Sequence, residues 1–423
     1  MRRLFVWIHR WVGLTITIFL VIVALTGSVI AFREELDHGL NPDLFTVPVR
    51  DAPQLDPLVL REKAEALEPR ANVDFLLLKR RPDESFVVFL SPKIDPATAK
   101  PFELPENELF LDPYTGEKVG ARYTTEVSLD RRGLVSFLLR LHYSLALPEN
   151  LATYGGTTLG VVALAWTIDC FIAFYLTLPT NILRGGRGFL TRWKPAWLVK
   201  RGASSYRLNF DLHRASGLWF FPLLLILAWS GVCFNLNGVY RGVMDLAFDF
   251  APSVWKRENP PSPDGREPLA WEEAERIARD LMAARAASDG FIVDRRVDFS
   301  LDRATGLYVY GVHSDRDVGE KYGGTTVAFD AYSGAVHGFQ APSARKGGDT
   351  VTTWLVELHM ANVFGLPYRL FVFVGGLAIA LLSVTGVVIW WKKRGARRHA
   401  GRMKGMVDRM KGMASADRAM LDL

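Results

Sequence analysis

The 423-residue chain has only two cysteines, Cys170 and Cys233, and both lie inside long apolar segments. Its polar regions therefore contain no disulfide bond. No C-x-x-C or C-x-x-C-H sequence occurs, which excludes covalently attached c-type haem and argues against a zinc or iron–sulfur site. Because there is also no nucleotide-binding loop and no hydrolase serine motif, the sequence predicts neither a nucleotide site nor a hydrolase.

Charged residues are almost absent from four apolar blocks, which are residues 11–32, 157–178, 218–236 and 371–391. Each block is close to the ~20 residues that an α-helix needs to cross a lipid bilayer. We therefore predict an integral membrane protein with four transmembrane α-helices. The one charged residue in these blocks is Asp169. A carboxylate near mid-membrane is a functional candidate by default, but here a structural role is favoured over proton movement.

Lysine and arginine cluster at one set of helix ends. They precede the first block, fill the short connection between the second and third, and follow the fourth; the residues are Arg2, Arg3, Arg10, Arg184, Arg187, Arg192, Lys194, Lys200, Arg201, Lys392, Lys393, Arg394, Arg397 and Arg398. The positive-inside rule places these segments and both chain termini in the cytoplasm. The two long connections, about residues 33–157 and 237–368, are then exported, which in a bacterium with two membranes means the periplasm. The formal net charge of +6 is mostly this topological signal, so nucleic acid is not a predicted partner.

An internal repeat organises the chain. The sequence H-R-x-x-G-L begins at His9 and again at His213, and the Leu-His pairs end at His142 and His359. The two helices that carry H-R-x-x-G-L end in a small pair, Thr26-Gly27 in one and Ser230-Gly231 in the other. The exported regions share a turn sequence, at residues 112–116 and 330–334, with glycine placed for a positive φ. Each half therefore reads as helix, exported region, Leu-His and helix.

Both exported regions are predicted to be α+β, with one helix packed on a small antiparallel sheet. Apolar residues recur at helical spacing at Leu60, Ala64 and Leu67 and again from Ala270 to Leu281, and strand-like segments follow at residues 85–90 and 306–312. The predicted boundaries are 1–32 for the first transmembrane helix, 33–134 for the first exported domain, 135–182 for the first Leu-His segment with the second transmembrane helix, 183–210 for a cytoplasmic basic loop, 211–237 for the third transmembrane helix, 238–350 for the second exported domain, 351–392 for the second Leu-His segment with the fourth transmembrane helix, and 393–423 for a cytoplasmic basic tail.

Four of the eight histidines occupy repeat-matched positions, two predicted on each side of the membrane: His9, His213, His142 and His359. Iron in a porphyrin accepts two axial ligands, and haem sites are commonly built between facing helices. Haem held between the histidines of each pair is therefore predicted. Its propionates have candidate partners in Arg10 and Arg214 inside and in Arg140 and Arg369 outside. Room for a flat ring is predicted at small residues: Gly13, Gly155, Gly156, Gly217, Gly375 and Gly376.

Simpler interpretations of the histidines stay open. A single histidine at a membrane interface is more often a boundary residue than a ligand, and zinc or copper between two helices remains an alternative, although few carboxylates or thiols accompany these positions. His142 precedes its apolar block by more than a dozen residues, so we predict a short amphipathic helix over residues 135–147 that turns it towards the bundle. The other histidines, His38, His313, His337 and His399, lack repeat partners and are predicted to be surface residues.

The repeated H-R-x-x-G-L, the two Leu-His pairs and the two Asp-x-Tyr-[Ser/Thr]-Gly turns resemble the PepSY-associated transmembrane family, over nearly the whole chain. Within that family the chain is most similar to inner-membrane ferric-siderophore reductases of the FoxB type. The resemblance implies PepSY-like exported domains, two haem b groups on the four matched histidines, and an oxidoreductase that reduces periplasmic Fe(III)-siderophores, such as hydroxamates, to release Fe(II). It also implies an electron donor in the cytoplasm or the membrane.

Two other functions remain alternatives at this point. One is a haem-based transmembrane reductase for another periplasmic acceptor, such as a flavin, a copper complex or a partner enzyme. The other is non-enzymatic, with exported modules that bind proteins and helices that only anchor them. All three interpretations place the chain in the bacterial inner membrane as a multi-pass protein.

Overall fold

The computed structural model of the chain describes residues 1–423 except 79–80, 181–187, 258–265, 344–345 and 422–423. Within the last helix, the side chains of residues 397, 399–402 and 404–421 are also outside the description. Arg184 and Arg187 of the predicted basic loop therefore lie outside the described residues, as do the side chains of Arg397 and His399.

Helices account for most of the described chain. Their bounds are α1 (Arg2–Ile30), α2 (Arg33–Leu40), α3 (Pro42–Phe45), α4 (Pro57–Leu67), α5 (Leu134–Ser144), α6 (Ala152–Thr177), α7 (Phe189–Trp193), α8 (Ser205–Trp219), α9 (Phe221–Asn235), α10 (Asn237–Met244), α11 (Trp271–Asp289), α12 (Gly347–His359) and α13 (Gly365–Leu421). The amphipathic helix predicted over residues 135–147 is confirmed as α5, although it ends three residues earlier.

The strands are shorter. Their bounds are β1 (Ala71–Asn72), β2 (Phe75–Leu77), β3 (Phe86–Phe89), β4 (Ser91–Pro92), β5 (Glu108–Leu111), β6 (Lys118–Arg122), β7 (Val293–Asp302), β8 (Leu307–Ser314), β9 (Thr325–Asp330) and β10 (Val336–Gln340). The strands predicted at residues 85–90 and 306–312 correspond to β3 and β8.

The chain divides into two compact units. The helical unit consists of Met1–Leu25, Val161–Trp229 and Val374–Leu423, and the mixed unit consists of Thr26–Gly160 and Ser230–Phe373. Helices α1, α6, α9 and α13 each contribute residues to both units.

Within the described residues, three helical stretches are long and apolar enough to cross a membrane: Arg2–Ile30, Leu134–Thr177 and Gly365–Ala396. A fourth crossing exists if α8 and α9, which are bent by 70° to each other, are one span. The sequence predicted an uninterrupted third span, and the structure corrects this with a break at Phe220. Pro222 explains it, because proline lacks an N–H and its ring clashes with the carbonyl group four residues earlier, that of Leu218.

The core of the helical unit is apolar and lies between α1, α6, α9 and α13. Its buried side chains are Ile16, Leu20, Ala24, Val162, Cys170, Leu224 and Ile379. Cys170 is a free cysteine and contributes to this packing as a small apolar residue.

The mixed unit contains an eight-stranded antiparallel sheet with the strand order β10-β9-β8-β7-β2-β3-β5-β6. Strands from the two regions that are predicted to be exported meet at its centre, where β2 pairs with β7 and Leu76 lies opposite Phe299. The junction is extended by a two-bond ion pair between Arg303 and Asp74, with both distances 2.8 Å. The two regions that the sequence treats as separate domains therefore share one sheet.

Helices α4 and α11 cover one face of this sheet, each over the strands of its own half. The predicted helical positions Leu60, Ala64 and Ala274 are buried there. Arg61 of α4 places its guanidinium 4.4 Å from the ring of Trp271 at the start of α11, so the two helices contribute to one shared core.

The two repeated turn sequences adopt the same conformation. Asp112 accepts hydrogen bonds from the amides two and three residues later, at 2.8 and 3.3 Å. Asp330 accepts the equivalent bonds at 3.0 and 2.8 Å. The glycine that closes each turn has a φ near +72°, which a residue without Cβ adopts without strain. The prediction of a positive φ at both glycines is confirmed.

Candidate functional site

The first histidine pair, His9 and His213, belongs to the helical unit. The two imidazole rings face each other across α1 and α8, with centroids 6.0 Å apart and planes inclined by 54°. Nδ1 of His9 lies 2.9 Å from a carboxylate oxygen of Asp169 in α6. Nδ1 of His213 lies 3.0 Å from the carbonyl oxygen of Leu382 and 3.2 Å from Oγ1 of Thr385, both in α13. Four helices therefore position this pair.

Carbonyl and carboxylate oxygens only accept hydrogen bonds. Nδ1 of His9 and of His213 must therefore carry the proton in these contacts. This tautomer leaves the lone pair on Nε2, the nitrogen with which a neutral imidazole then binds a metal.

The second histidine pair, His142 and His359, belongs to the mixed unit. Its rings come from α5 and α12, and their centroids are 6.2 Å apart with planes inclined by 68°. Nδ1 of His142 lies 3.1 Å from Oγ1 of Thr26, and Nδ1 of His359 lies 2.5 Å from Oγ of Ser230. Phe234 packs edge-on against His359 at 5.1 Å. The second pair therefore resembles the first in ring separation, but a hydroxyl group contacts Nδ1 of each of its two histidines.

The ring separations fit axial ligation of one metal ion by each pair. A metal–imidazole bond is about 2.0 Å long and a ring nitrogen lies about 1.2 Å from its centroid, so two coaxial imidazoles on one ion have centroids about 6.3 Å apart. The observed values are 6.0 Å and 6.2 Å. Both separations are therefore compatible with two imidazoles on one ion.

The donor set favours haem over a bare metal ion. Among the described residues, no group of three or more histidine, cysteine, aspartate or glutamate side chains is arranged to hold a metal. Two imidazoles alone do not complete the four-ligand sites in which zinc is usually bound. A porphyrin supplies four equatorial nitrogens, so only two protein ligands on one axis are needed.

Two glycines let imidazoles lie directly against a helix backbone. A Cβ at Gly27 of α1 would stand 2.9 Å from Cε1 of His142, and a Cβ at Gly386 of α13 would stand 3.3 Å from Cε1 of His213. Each glycine follows the threonine that contacts the same imidazole, Thr26 or Thr385. The Thr-Gly dipeptide therefore provides both a hydroxyl partner and space for the ring.

The glycines of the two H-R-x-x-G-L segments also have space beside them. A Cβ at Gly13 would meet nothing within 4 Å, and one at Gly217 would meet only Leu382 at 3.6 Å. Each lies one turn after its histidine on the same helix face. In contrast, a Cβ at Gly155 would overlap the Ser144 backbone and one at Gly375 would overlap Leu223, so these two glycines serve close packing instead.

A model of the PepSY-associated TM region matches residues 6–393, a range that includes both histidine pairs. The chain belongs to the PepSY-associated TM family. The family-level resemblance is thereby confirmed, while the resemblance to FoxB-type reductases stays a prediction. No match is found among the curated proteins.

The four arginines predicted as propionate partners have different surroundings in this PepSY-associated TM protein. Arg10 lines an open cleft whose other lining residues are Trp11, Trp390, Lys393, Arg394 and Arg398. Arg214 donates to the carbonyl oxygen of Pro195 at 2.6 Å and pairs with Asp211 at 3.0 Å, but its buried Nε has no hydrogen-bond partner among the described residues. Both therefore retain capacity to donate to an anion.

Arg140 and Arg369 are more fully engaged. Arg140 donates to the carbonyl oxygens of Thr125 and Leu147. Arg369 forms two bonds to Glu35, at 2.6 and 2.7 Å, and also donates to the carbonyl oxygen of Ala31. This pairing lowers the pKa of Glu35 to about 2. A propionate contact by either arginine would require an exchange of these partners.

The groups that contact each Nδ1 were not predicted from the sequence. Thr26-Gly27 and Ser230-Gly231 were predicted only as helix ends, and no specific partner was predicted for Asp169. A signal existed, because Thr385-Gly386 repeats the same dipeptide in the fourth apolar block. Asp169 follows His142 by 27 residues and Thr385 follows His359 by 26. The two spacings differ by one residue, and each of these residues contacts the H-R-x-x-G-L histidine of its own half, so Asp169 corresponds to Thr385.

Proposed function

We propose that this PepSY-associated TM protein is a di-haem b electron conduit of the bacterial inner membrane that reduces Fe(III)-siderophores on the periplasmic side. The observation that supports it best is the spacing of the two imidazole pairs, 6.0 Å and 6.2 Å between centroids, with Nδ1 of each ring hydrogen-bonded to another helix. These are features of bis-imidazole ligation. The resemblance to FoxB-type reductases supports the substrate class.

When bound, each haem would take up and release one electron as its iron cycles between the ferric and ferrous states. The protein's own residues orient the ligands and shape the environment. Asp169, Leu382 and Thr385 fix the tautomer and rotation of the first pair. Thr26 and Ser230 contact the second pair. The apolar core of the helical unit limits access of water, which affects the reduction potential of any redox group within it.

The proposed substrate is a ferric chelate of the hydroxamate type. Hydroxamate oxygens are hard ligands that hold Fe(III) firmly and Fe(II) more weakly. One electron converts Fe(III) to Fe(II), and no covalent bond of the chelator breaks. In this proposal the first pair lies towards the cytoplasm, the second towards the periplasm, and the donor is a cytoplasmic or membrane reductant.

Haem content of the purified protein tests the ligand assignment. Two b-type haems per chain are expected in the reduced absorption spectrum and in a pyridine haemochrome assay. Each of the substitutions His9→Ala, His213→Ala, His142→Ala and His359→Ala should remove one haem. His337→Ala is the matched control, because His337 is exposed and contacts only the carbonyl oxygen of Lys256 among its described partners. A colourless protein, or full haem content in all four variants, contradicts the proposal.

Reoxidation kinetics test the substrate. Dithionite-reduced protein, freed of excess reductant, is mixed anaerobically with ferrioxamine and an Fe(II) trap. The expected result is haem reoxidation with formation of the Fe(II)–trap complex in equal electron equivalents. If haem is present but is not reoxidised, a conduit to another periplasmic acceptor is favoured. If the protein binds no haem, a membrane-anchored protein-binding module is favoured.

A further inference from the structure

The four imidazoles are held by unequal partners. Neutral oxygens contact Nδ1 of three of them: the Thr26 hydroxyl, the Ser230 hydroxyl, and the Leu382 carbonyl together with the Thr385 hydroxyl. Among the contacts of the described residues, a carboxylate meets Nδ1 only at His9, where both oxygens of Asp169 lie within 3.0 Å. Asp169 and Thr385 contact the corresponding histidines of the two halves of the chain, so this carboxylate breaks the symmetry between His9 and His213. It also gives the first pair a carboxylate contact where the second pair has the hydroxyl contacts of Thr26 and Ser230.

The carboxylate is well placed to act on its imidazole. The Asp169 side chain is only 8% exposed, and His9 is its one ion-pair partner among the described residues. Its neighbour Cys170 is buried in the apolar core of the helical unit. Because the surroundings are of low polarity, the charge is poorly screened and acts strongly at short range.

A carboxylate that accepts the Nδ1–H bond increases electron donation from Nε2. Such a partner raises the basicity of a metal-ligating histidine. A stronger donor ligand and a nearby negative charge both stabilise ferric over ferrous iron. A hydroxyl or carbonyl partner has a weaker effect, because a hydrogen bond to an ionised acceptor is roughly twice as strong as a neutral one.

We propose that Asp169 is a positioning residue that gives the haem at the first histidine pair a lower midpoint potential than the haem at the second pair. This inference rests on the proposed function. Electrons would then move downhill from the His9 and His213 site to the His142 and His359 site. The same residue also holds His9 in the rotation that faces His213.

A redox titration followed by optical spectroscopy tests the inference, with each haem isolated by removing the other. In the His359→Ala background the remaining haem is the one at the first pair. There, Asp169→Asn and Asp169→Thr should shift its midpoint to a more positive value, whereas Asp169→Glu should keep it low. In the His213→Ala background the same Asp169 variants should leave the midpoint unchanged.

Thr385→Val is the matched control at the symmetry-related position. It removes a hydroxyl contact to His213 but keeps the Leu382 carbonyl, so only a small shift is expected. If the Asp169 variants lose the first haem, the reverse substitution Thr385→Asp replaces them and should move the first midpoint to a more negative value. An unchanged midpoint in haem-replete Asp169→Asn overturns the inference, as does an unchanged midpoint in Thr385→Asp. Absence of haem from the unmodified protein would instead refute the proposed function.

Discussion

Gly27 offers a quantitative test of the second histidine pair. An alanine Cβ there would stand 2.9 Å from Cε1 of His142, whereas carbon atoms in contact prefer at least about 3.5 Å. The ring must therefore move by about 0.6 Å, which exceeds the ~0.2 Å within which metal–ligand distances are normally held. We expect Gly27→Ala to weaken or abolish haem binding at the second pair.

Gly386 provides a graded comparison. Its Cβ would stand 3.3 Å from Cε1 of His213, so a ring shift of only about 0.2 Å relieves the contact. Gly386→Ala should retain the first haem with a small spectral change. Gly242 in α10 has no heavy atom within 4 Å of a built Cβ, and Gly242→Ala should change neither haem.

The assay for this series is haem per chain together with the midpoint of each haem. Helix propensity favours alanine by about 1 kcal/mol in an exposed helix and works against any general loss of folding. Overpacking of a tight site costs about 1–3 kcal/mol, so the Gly27→Ala variant should fold and lose only haem binding at the second pair. The reasoning is refuted if Gly27→Ala keeps two haems with unaltered spectra, or if Gly386→Ala loses haem to the same extent.

Two further predictions concern the sheet of the mixed unit. Phe299 is fully buried at the β2–β7 junction, so Phe299→Ala should destabilise the unit by about 3–5 kcal/mol. Limited proteolysis should then cut residues 33–134 and 238–350 together, and cleavage confined to one of these regions would contradict a shared sheet. Burial raises the pKa of Asp298 to about 6, above the ~3.9 of an aspartate in an unfolded chain. Because the folded state then binds the proton more readily, the free energy of unfolding should fall as the pH rises from about 4 through about 6. Asp298→Asn should reduce that dependence in thermal melts at pH 4.5 and pH 8; an unchanged slope would rule out Asp298 as its source.

Several elements followed directly from the sequence because local rules determine them. Apolar length marked the membrane-crossing helices, and the amphipathic helix before the second block appeared as α5. The two Asp-initiated turns with a positive-φ glycine formed as predicted, since a turn depends only on a few consecutive residues. The helix break at Phe220 also had a local sequence signal, Pro222. Because the residues around this proline are apolar, hydropathy alone predicted a continuous span.

The pairing of strands between the two halves of the chain could not be predicted from local rules. Residues Leu76 and Phe299 are partners in one sheet, yet more than 200 positions separate them. Strand alternation reveals which face is buried but not which other strand lies alongside. The sequence therefore predicted helices and strands in each region without predicting that they join.

For the site, the repeat in the sequence predicted which four histidines belong together, two on each side of the membrane, because they occupy matched positions in the two halves. It could not determine what each Nδ1 contacts, since that depends on how every helix is rotated about its axis against its neighbours. Only the tertiary structure brought Asp169 to His9, 160 positions away, and Thr385 to His213. Packing of side chains around the bundle sets those rotations, and a one-dimensional pattern does not contain them.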